Sequence, residues 1–188
     1  MNIHKKSENL YIVLTAIFIA SLVSCNLIFQ KFFQIEIWLP FIGAYKFEQS
    51  VGLLPYPITF IVTDIVSEIY GRKKANQVVT AGLFASLFML IIVSISDYVS
   101  AAPWSPVNGD EFHKVFGLSG AAVFASMLAY LAAQYIDVRA FHFWKKLTHG
   151  KHLWLRNNAS TIFSQLIDTF SVLFLLYFFN VIEWQQFG

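Results

Sequence analysis

Two carboxylates interrupt an apolar run that is long enough to span a membrane. Residues 53–70 are mostly aliphatic and aromatic, yet Asp64 and Glu68 lie among them, and a basic cluster follows at 72–74. Ionisable side chains at that depth in a bilayer are costly, so they usually mark a polar pathway or a ligand site. Asp64 precedes Gly71 by seven residues, about 10 Å along a helix axis, and therefore cannot easily reach bulk water. The pattern predicts a transporter and not a soluble enzyme.

Two later apolar segments repeat an amide and a carboxylate at a fixed spacing. Gln134 is followed three residues later by Asp137, and Gln165 by Asp168. Residues three apart share a helical face, so each segment presents an amide beside a carboxylate. Asp168 lies about 18 Å along the helix from the preceding basic loop, which predicts a position near the bilayer centre. Asp137 lies beside Arg139 at the expected end of its helix, where a solvated or salt-bridged role is an equal alternative.

Other polar side chains on these segments share faces with the carboxylates. Asn26 and Gln30 are four apart in the first apolar segment, and alone they would be ordinary interhelical hydrogen-bonding groups. Thr63 belongs to a stripe of hydroxyl and carboxyl groups in the second segment. Glu68 has a structural alternative, which is pairing with Arg72 four residues later. Because lipid does not accept such groups, we expect three helices to turn them toward an interior cavity.

The composition places the chain in a bilayer. It is 57% hydrophobic and 13% charged, whereas a soluble domain is about 45–50% apolar and about 25% charged. The net charge of +2 is too small for a nucleic-acid surface. A single cysteine, Cys25, excludes an internal disulfide and a clustered thiol site. We expect one membrane domain covering 1–188, with no metal and no cofactor.

The apolar segments predict an all-α transmembrane bundle of five spans. They lie at 10–29, 53–70, 77–98, 117–136 and 158–179. Between the first two, residues 34–50 partly alternate apolar and polar, which suits a short interfacial hairpin or a re-entrant loop. Pro103, Pro106 and Gly109 mark a loop between the third and fourth spans.

Lysine and arginine predict the orientation of the bundle. The N-terminus and the loops at 71–76 and 139–156 must lie on one side, and they hold ten of the thirteen basic residues. The positive-inside bias therefore places the N-terminus in the cytoplasm of a multi-pass protein of the cytoplasmic (inner) membrane. An odd number of spans leaves residues 183–188 outside.

Small residues recur at helical spacing on two of the spans. Ala121, Ala125, Ala129 and Ala133 form a ridge at four-residue intervals, which predicts close helix packing within the bundle. Docking of a partner is the alternative for this ridge. The Ala16-x-x-x-Ala20 pattern of the first span has the same two explanations.

With these residues in view, the chain resembles the vitamin uptake transporter family of queuosine precursor transporters. Three segments carry the resemblance: 57–71, from Pro57-Ile58-Thr59 through Asp64 to Gly71; 133–141, which contains Gln134-Tyr135-Ile136-Asp137; and 154–169, from Trp154 to Thr169. The resemblance implies import of 7-deazaguanine precursors of the tRNA nucleoside queuosine. It also implies six spanning helices, similar to the substrate-binding components of energy-coupling-factor transporters, of which we expect five in this chain.

The implied ligand suits the polar residues. A deazaguanine presents a ring N–H and an amino group as adjacent donors, which one carboxylate accepts, while an amide serves the carbonyl. We expect Asp64 and Asp168 to recognise the base, and either to couple transport to protons. The substrate-binding residues expected are Asn26, Thr63, Asp64, Gln134, Asn158, Gln165 and Asp168, with Gln30, Glu68 and Asp137 as secondary candidates. An aromatic face is expected from Tyr56, Phe60, Tyr130 or Trp154.

These residues bear on three classes of function. The first is a carrier moving the purine-like base through the lipid bilayer, alone or as a homo-oligomer. The second is a capture subunit that serves a separate coupling module through Ala16 and Ala20. No phosphate-cradling loop occurs in the sequence, so the chain itself is not expected to hydrolyse ATP. An intramembrane enzyme is disfavoured, because there is no His-Glu-x-x-His pair and no nucleophile–base constellation.

Overall fold

A computed structural model describes residues 3–40, 43–117 and 120–178 of the chain. Its helices are α1 (Ile3–Ile28), α2 (Tyr56–Tyr98), α3 (Gly109–Phe116), α4 (Gly120–Leu147) and α5 (Leu153–Phe178). Its strands are β1 (Phe32–Leu39) and β2 (Gly43–Ser50), followed by a 3-10 turn at Val51–Leu53. The expected extracellular tail at 183–188 lies outside the described residues.

Helix α2 reverses direction at Gly71, where the backbone has φ +80° and ψ 172°. Before the reversal, the limb 56–70 runs back along α1, and the Tyr70 hydroxyl donates to the Ser7 carbonyl at 2.6 Å. After it, the limb 72–98 runs forward along α1, so that Gly82 lies directly against Phe18. The reversal confirms the turn expected after residue 70, and α1 packs against both antiparallel limbs.

The remaining long helices complete a bundle around these limbs. Helix α4 runs parallel to the limb 56–70, because Gln134 lies beside Thr63 and Lys145 beside Glu68. Helix α5 returns antiparallel to α4, after a turn in which the Gly150 N–H donates to the Lys145 carbonyl at 2.9 Å with φ +77°. The bundle thus has a basic end, near Gly71 and Gly150, and an opposite hairpin end, near β1 and β2.

The hairpin end contains strands that correct the all-α expectation and a helix that corrects an expected loop. Strands β1 and β2 pair antiparallel, with Ile35 opposite Phe47, so the hairpin is confirmed over the re-entrant loop, and its interfacial position stays a prediction. Helix α3 occupies part of the segment expected to be a loop. Its start is fixed by a capping box, in which the Asn108 side chain accepts from the Glu111 N–H and Glu111 accepts from the Asn108 N–H.

Two described stretches are long and apolar enough to cross a membrane, Ser7–Ile28 and Val51–Tyr98. The second has 48 residues, and the reversal at Gly71 divides it between two limbs of the bundle. The expected spans at 117–136 and 158–179 both include residues outside the described ranges, so the count of five spans stays a prediction.

The alanine ridges differ in what covers them. On α4, Ala129 and Ala133 are buried, with 3% and 0% of their surface exposed, which agrees with packing inside the bundle. The side chains of Ala121 and Ala125 lie outside the described set. On α1, Ala16 and Ala20 are exposed, so that face of the helix is not covered by the described part of the chain.

Substituting Gly71 by alanine is expected to destabilise the fold by about 1–3 kcal/mol, because φ +80° with ψ 172° is a region that only glycine adopts without strain. An added Cβ would meet nothing within 4 Å, so the cost comes from the backbone and not from a clash. Gly109→Ala is the matched control, since its surroundings are equally open and its φ is not positive. Thermal unfolding of the purified protein in detergent measures the difference, and equal midpoints for the two variants would contradict the assignment.

Candidate functional site

A fully buried amide connects α2 to α4 at the centre of the bundle. Gln134 has 0% exposure, and its Nε2 donates to the Tyr130 hydroxyl at 2.8 Å and to Thr59 Oγ1 at 3.3 Å. Its Oε1 accepts from Thr63 Oγ1 at 3.3 Å. Both ends of the amide are therefore satisfied, which fixes how α4 sits against the limb 56–70.

Three aromatic rings lie next to this amide toward the hairpin end. We call Tyr56, Phe60 and Tyr130 the aromatic cluster; the Tyr56 ring centroid lies 5.3 Å from that of Phe60 and 5.5 Å from that of Tyr130. The rings meet edge to face or tilted, an arrangement that aromatic quadrupoles favour. Cys25 of α1 lies near the hydroxyls of Tyr56 and Tyr130. Phe60 and Tyr130 are buried, with 2% and 7% of their surface exposed, so the cluster is apolar with polar atoms at its edge.

Asp168 of α5 supplies a carboxylate to the aromatic cluster. The Tyr56 hydroxyl donates a hydrogen bond to Asp168 Oδ2. Asp168 Oδ1 is buried and has no hydrogen-bond partner within the described ranges. One carboxylate oxygen is therefore held by the protein, while the other remains able to accept from a ligand.

A second acidic site lies farther toward the basic end, and we call Asp64 and Asp137 the carboxylate pair. Their exposures are 4% and 0%, and the two carboxyl groups are close enough to interact electrostatically. Ser164 of α5 donates to Asp137 Oδ1 at 3.1 Å. The solvated or salt-bridged alternative for Asp137 is therefore wrong, because the residue is buried and Ser164 of α5 packs on it.

The two aspartates expected to share one chamber lie at different depths. Asp168 is opposite Tyr56, whereas Asp64 is opposite Asp137. Tyr56 precedes Asp64 by eight residues, about 12 Å along the helix axis. The polar interior is thus elongated along the bundle, with Gln134 between its two acidic sites.

Glu68 closes the basic end with partners other than the expected one. Its Oε2 lies 2.9 Å from Lys145 Nζ and 2.8 Å from Arg156 Nη2, so pairing with Arg72 is wrong. The reversal at Gly71 separates Glu68 from Arg72, and the four-residue helical spacing no longer brings them together. Glu68, Lys145 and Arg156 form what we call the ionic cluster, which joins α2, α4 and α5.

Replacing Glu68 by glutamine is expected to destabilise the protein by about 2 kcal/mol, because the Arg156 side chain is only 3% exposed and would lose its charged partner. The half-exposed Lys145 contributes less, since water still reaches it. Glu48→Gln, on the exposed face of β2, is the control. Thermal unfolding in detergent is the measurement; an unchanged midpoint in the Glu68 variant would contradict a structural role for the cluster.

The other expected binding residues lie apart from these clusters or at their margin. Asn158 is exposed and its Nδ2 donates to the Trp154 carbonyl at 2.8 Å, and Trp154 is itself 66% exposed. Gln165 and Gln30 are half-buried. Asn26 is half-buried too, and its Nδ2 has no partner among the described side chains and backbone.

Sequence reasoning missed two contributions to the site. Tyr56 and Tyr130 were expected as aromatic faces only, yet their hydroxyls bond Asp168 and Gln134. Ser164 was one of several polar residues on α5, and nothing in the sequence singled it out as the donor to Asp137. These pairings depend on how helices distant in sequence are aligned, which spacing along one helix does not give.

The chain matches one protein family model and several curated proteins. The model described as "Putative vitamin uptake transporter" matches residues 50–187. A protein of Bacillus subtilis strain 168, named "Probable queuosine precursor transporter", is 30% identical over 122 residues, covering 64% of this chain and 53% of that protein. The matched part of the chain thus spans about half the length of this relative.

Two further relatives match more of the chain. The "Queuosine precursor transporter" of Escherichia coli strain K12 is 25% identical over 162 residues, or 86% of this chain and 69% of that protein. The "Probable queuosine precursor transporter" of Haemophilus influenzae is 27% identical over 178 residues, or 89% of this chain and 72% of that protein. No solved structure matches significantly.

Proposed function

We propose that this chain, which belongs to the vitamin uptake transporter family, imports 7-deazaguanine precursors of queuosine across the cytoplasmic membrane. Membership of the family makes the chain a membrane transporter of a small molecule. The substrate class comes from the names of three relatives that are 25–30% identical to it. The chemistry of the buried site supports this class.

A deazaguanine base fits the aromatic cluster and Asp168 by hydrogen-bond type. The base carries a ring N–H and an exocyclic amino group side by side, and both require acceptors. Asp168 Oδ1 is a buried acceptor, and the Tyr56 hydroxyl holds the other oxygen. A carboxylate accepts from such donors more strongly than a neutral group does. The rings of Tyr56, Phe60 and Tyr130 then supply the apolar surface on which a flat heterocycle packs.

The observation that carries the proposal is the position of Asp168. It is an acceptor that faces aromatic rings inside an apolar bundle, and its charge is not neutralised by any ion pair within the described ranges. An intramembrane carboxylate of this kind is a ligand or ion site by default. Of the remaining expected binding residues, Thr63 and Gln134 stay proposals beside this anchor, and Asn26, Asn158 and Gln165 stay proposals farther from it. Asp64 and the secondary candidate Asp137 lie at the other acidic site and are not assigned to binding of the base.

We propose five spans with the N-terminus and the basic end in the cytoplasm. Support comes from the clustering of Arg72, Lys145 and Arg156 at one end of the bundle, as the positive-inside bias requires. The exposed Trp38 and Tyr45 of the hairpin suit the opposite headgroup region.

One observation favours a second function, which is capture of the same base for a separate coupling module. Ala16 and Ala20 form an exposed small-residue face on α1, where another helix can approach closely. Uptake of radiolabelled precursor by the purified chain in liposomes separates the two functions. A carrier brings label into the vesicle lumen, whereas a capture subunit alone binds label without transporting it.

A further inference from the structure

We propose that Asp64 and Asp137 form a proton-binding site, distinct from the Asp168 anchor, that couples import of the base to entry of a proton. The inference rests on the proposed function and adds its driving ion. It starts from the geometry of the carboxylate pair, in which two acidic side chains from different helices meet in the interior of the bundle.

Contacts on both sides of the pair fix its position. Thr63 and Gln134, which flank it toward the hairpin end, are hydrogen bonded at 3.3 Å. Glu68 and Lys145, which flank it toward the basic end, are paired at 2.9 Å. Since α2 and α4 run parallel between these contacts, Asp64 and Asp137 lie at the same level of the bundle, and both are buried there.

One oxygen of each carboxylate in the pair is available to share a proton. Ser164 donates to Asp137 Oδ1, and Ser160 interacts with the same carboxylate. Asp137 Oδ2 and Asp64 Oδ1 are buried without a partner in the described part of the chain. Two carboxylates that share a dry site repel each other strongly when both are ionised. A single proton, bonded to one oxygen and donated to an oxygen of the other residue, removes that repulsion.

The charged groups around the pair are engaged elsewhere. Toward the basic end, the titratable and charged side chains are Glu68, Arg72, Arg139, His142, Lys145 and Arg156. Lys145 and Arg156 pair with Glu68, His142 interacts with Lys145, Arg72 and Glu68, and Arg139 is exposed. Toward the hairpin end are Cys25, Tyr56, Tyr130 and Asp168, which interact with one another. Neutralisation of the carboxylate pair therefore falls to a bound cation.

A proton suits the site better than a metal ion does. Metal cations such as Ca²⁺ require about six to eight oxygen ligands, and Mg²⁺ requires an octahedron. The carboxylate pair offers two side chains and the serine hydroxyls. Among the residues that the structure describes, no group of three His, Cys, Asp or Glu side chains is placed to hold a metal. A proton needs only one oxygen of each carboxylate.

The amide of Gln134 links the proton site to the substrate anchor. It bonds Thr63, next to Asp64, and Tyr130 of the aromatic cluster. Loss or gain of the proton changes the charge of the carboxylate pair, one helical turn from this amide. The change in charge acts through Gln134 on Tyr130 of the aromatic cluster. In each cycle the proton binds from the hairpin side and leaves at the basic end, and no covalent bond of the base is made or broken.

The test uses the full chain in liposomes with radiolabelled 7-cyano-7-deazaguanine. Exchange of the base at equal pH reports substrate binding and movement, and accumulation under an inward acid gradient reports proton coupling. The wild type is expected to exchange the base and to accumulate it about tenfold per pH unit, if one proton enters with each molecule. Asp137→Asn is expected to retain exchange and lose accumulation. Asp110→Asn, an exposed acid of α3, is the control that retains both.

The outcomes separate this inference from the proposed function. Wild-type exchange with no response to pH would overturn the proton site alone, as would full accumulation by Asp137→Asn or a dependence on sodium in place of protons. Absence of exchange in the wild type would overturn the proposed function and the inference with it. Infrared spectroscopy supplies a measurement that does not depend on transport by a variant. A protonated-carboxyl band is expected in the wild type. An equal band in the Asp64→Asn/Asp137→Asn double variant would also overturn the site.

Discussion

Binding of the precursor base is expected to weaken by roughly tenfold to a hundredfold when Asp168 is replaced by asparagine. A hydrogen bond to a charged acceptor contributes about 1.5–3 kcal/mol, and a neutral asparagine amide accepts more weakly than the free carboxylate oxygen does. In addition, the Tyr56 hydroxyl loses its charged partner. Scintillation proximity binding of labelled base to the purified protein measures the change.

The Asp168 variant has a matched control in Asp110→Asn, since Asp110 is an exposed acid in the first turn of α3. We expect the control to bind the base as the wild type does. Unfolding midpoints of the two variants are compared first, so that a folding defect is not read as a binding defect. Equal affinities in the two variants would place the substrate anchor elsewhere.

The second large effect is expected for Gln134→Leu. The substitution removes the buried amide that bonds Thr59, Thr63 and Tyr130. Polar groups left unpaired in a buried position cost about 1–3 kcal/mol each. Because the two threonine hydroxyls still donate to backbone carbonyls, we expect a total loss of about 2–4 kcal/mol.

The same variant is expected to bind the base more weakly, because Tyr130 is no longer held in the aromatic cluster. Gln77→Leu on the limb 72–98 makes the same chemical change at an exposed position and serves as the control. Thermal unfolding in detergent gives the stability, and equilibrium binding of the base gives the affinity. If the Gln134 variant matched its control in both stability and affinity, the proposed role of the amide would be contradicted.

The sequence predicted the long helices and the reversal between 70 and 77 because apolar length, glycine and basic clusters are local signals. It predicted burial of Asp64 for the same reason, since distance from the helix end can be counted along the chain. The capping pattern from Asn108 to Glu111 was also readable and would have predicted α3. Pro103, Pro106 and Gly109 together indicate a loop, but Gly109 is the first residue of α3 and only the two prolines precede it.

The errors in the candidate site concern contacts between helices. The closeness of Arg139 in sequence makes a solvated or salt-bridged Asp137 an equal alternative. In the structure the two side chains lie on different faces, and α5 covers Asp137. Arg72 was expected to pair with Glu68 because four residues separate them, yet Gly71 ends the helix between them. Spacing along the chain predicts such a contact only while the helix continues.

The most direct test of the account measures queuosine in the tRNA of cells that can neither make the precursor nor import it by a transporter of their own. Such cells are fed limiting precursor and supplied with the intact chain, with Asp168→Asn, or with Asp110→Asn. We predict that the intact chain and Asp110→Asn restore queuosine, and that Asp168→Asn leaves it near the level of cells without the protein. Equal restoration by Asp168→Asn, or no restoration by the intact chain, would contradict the account.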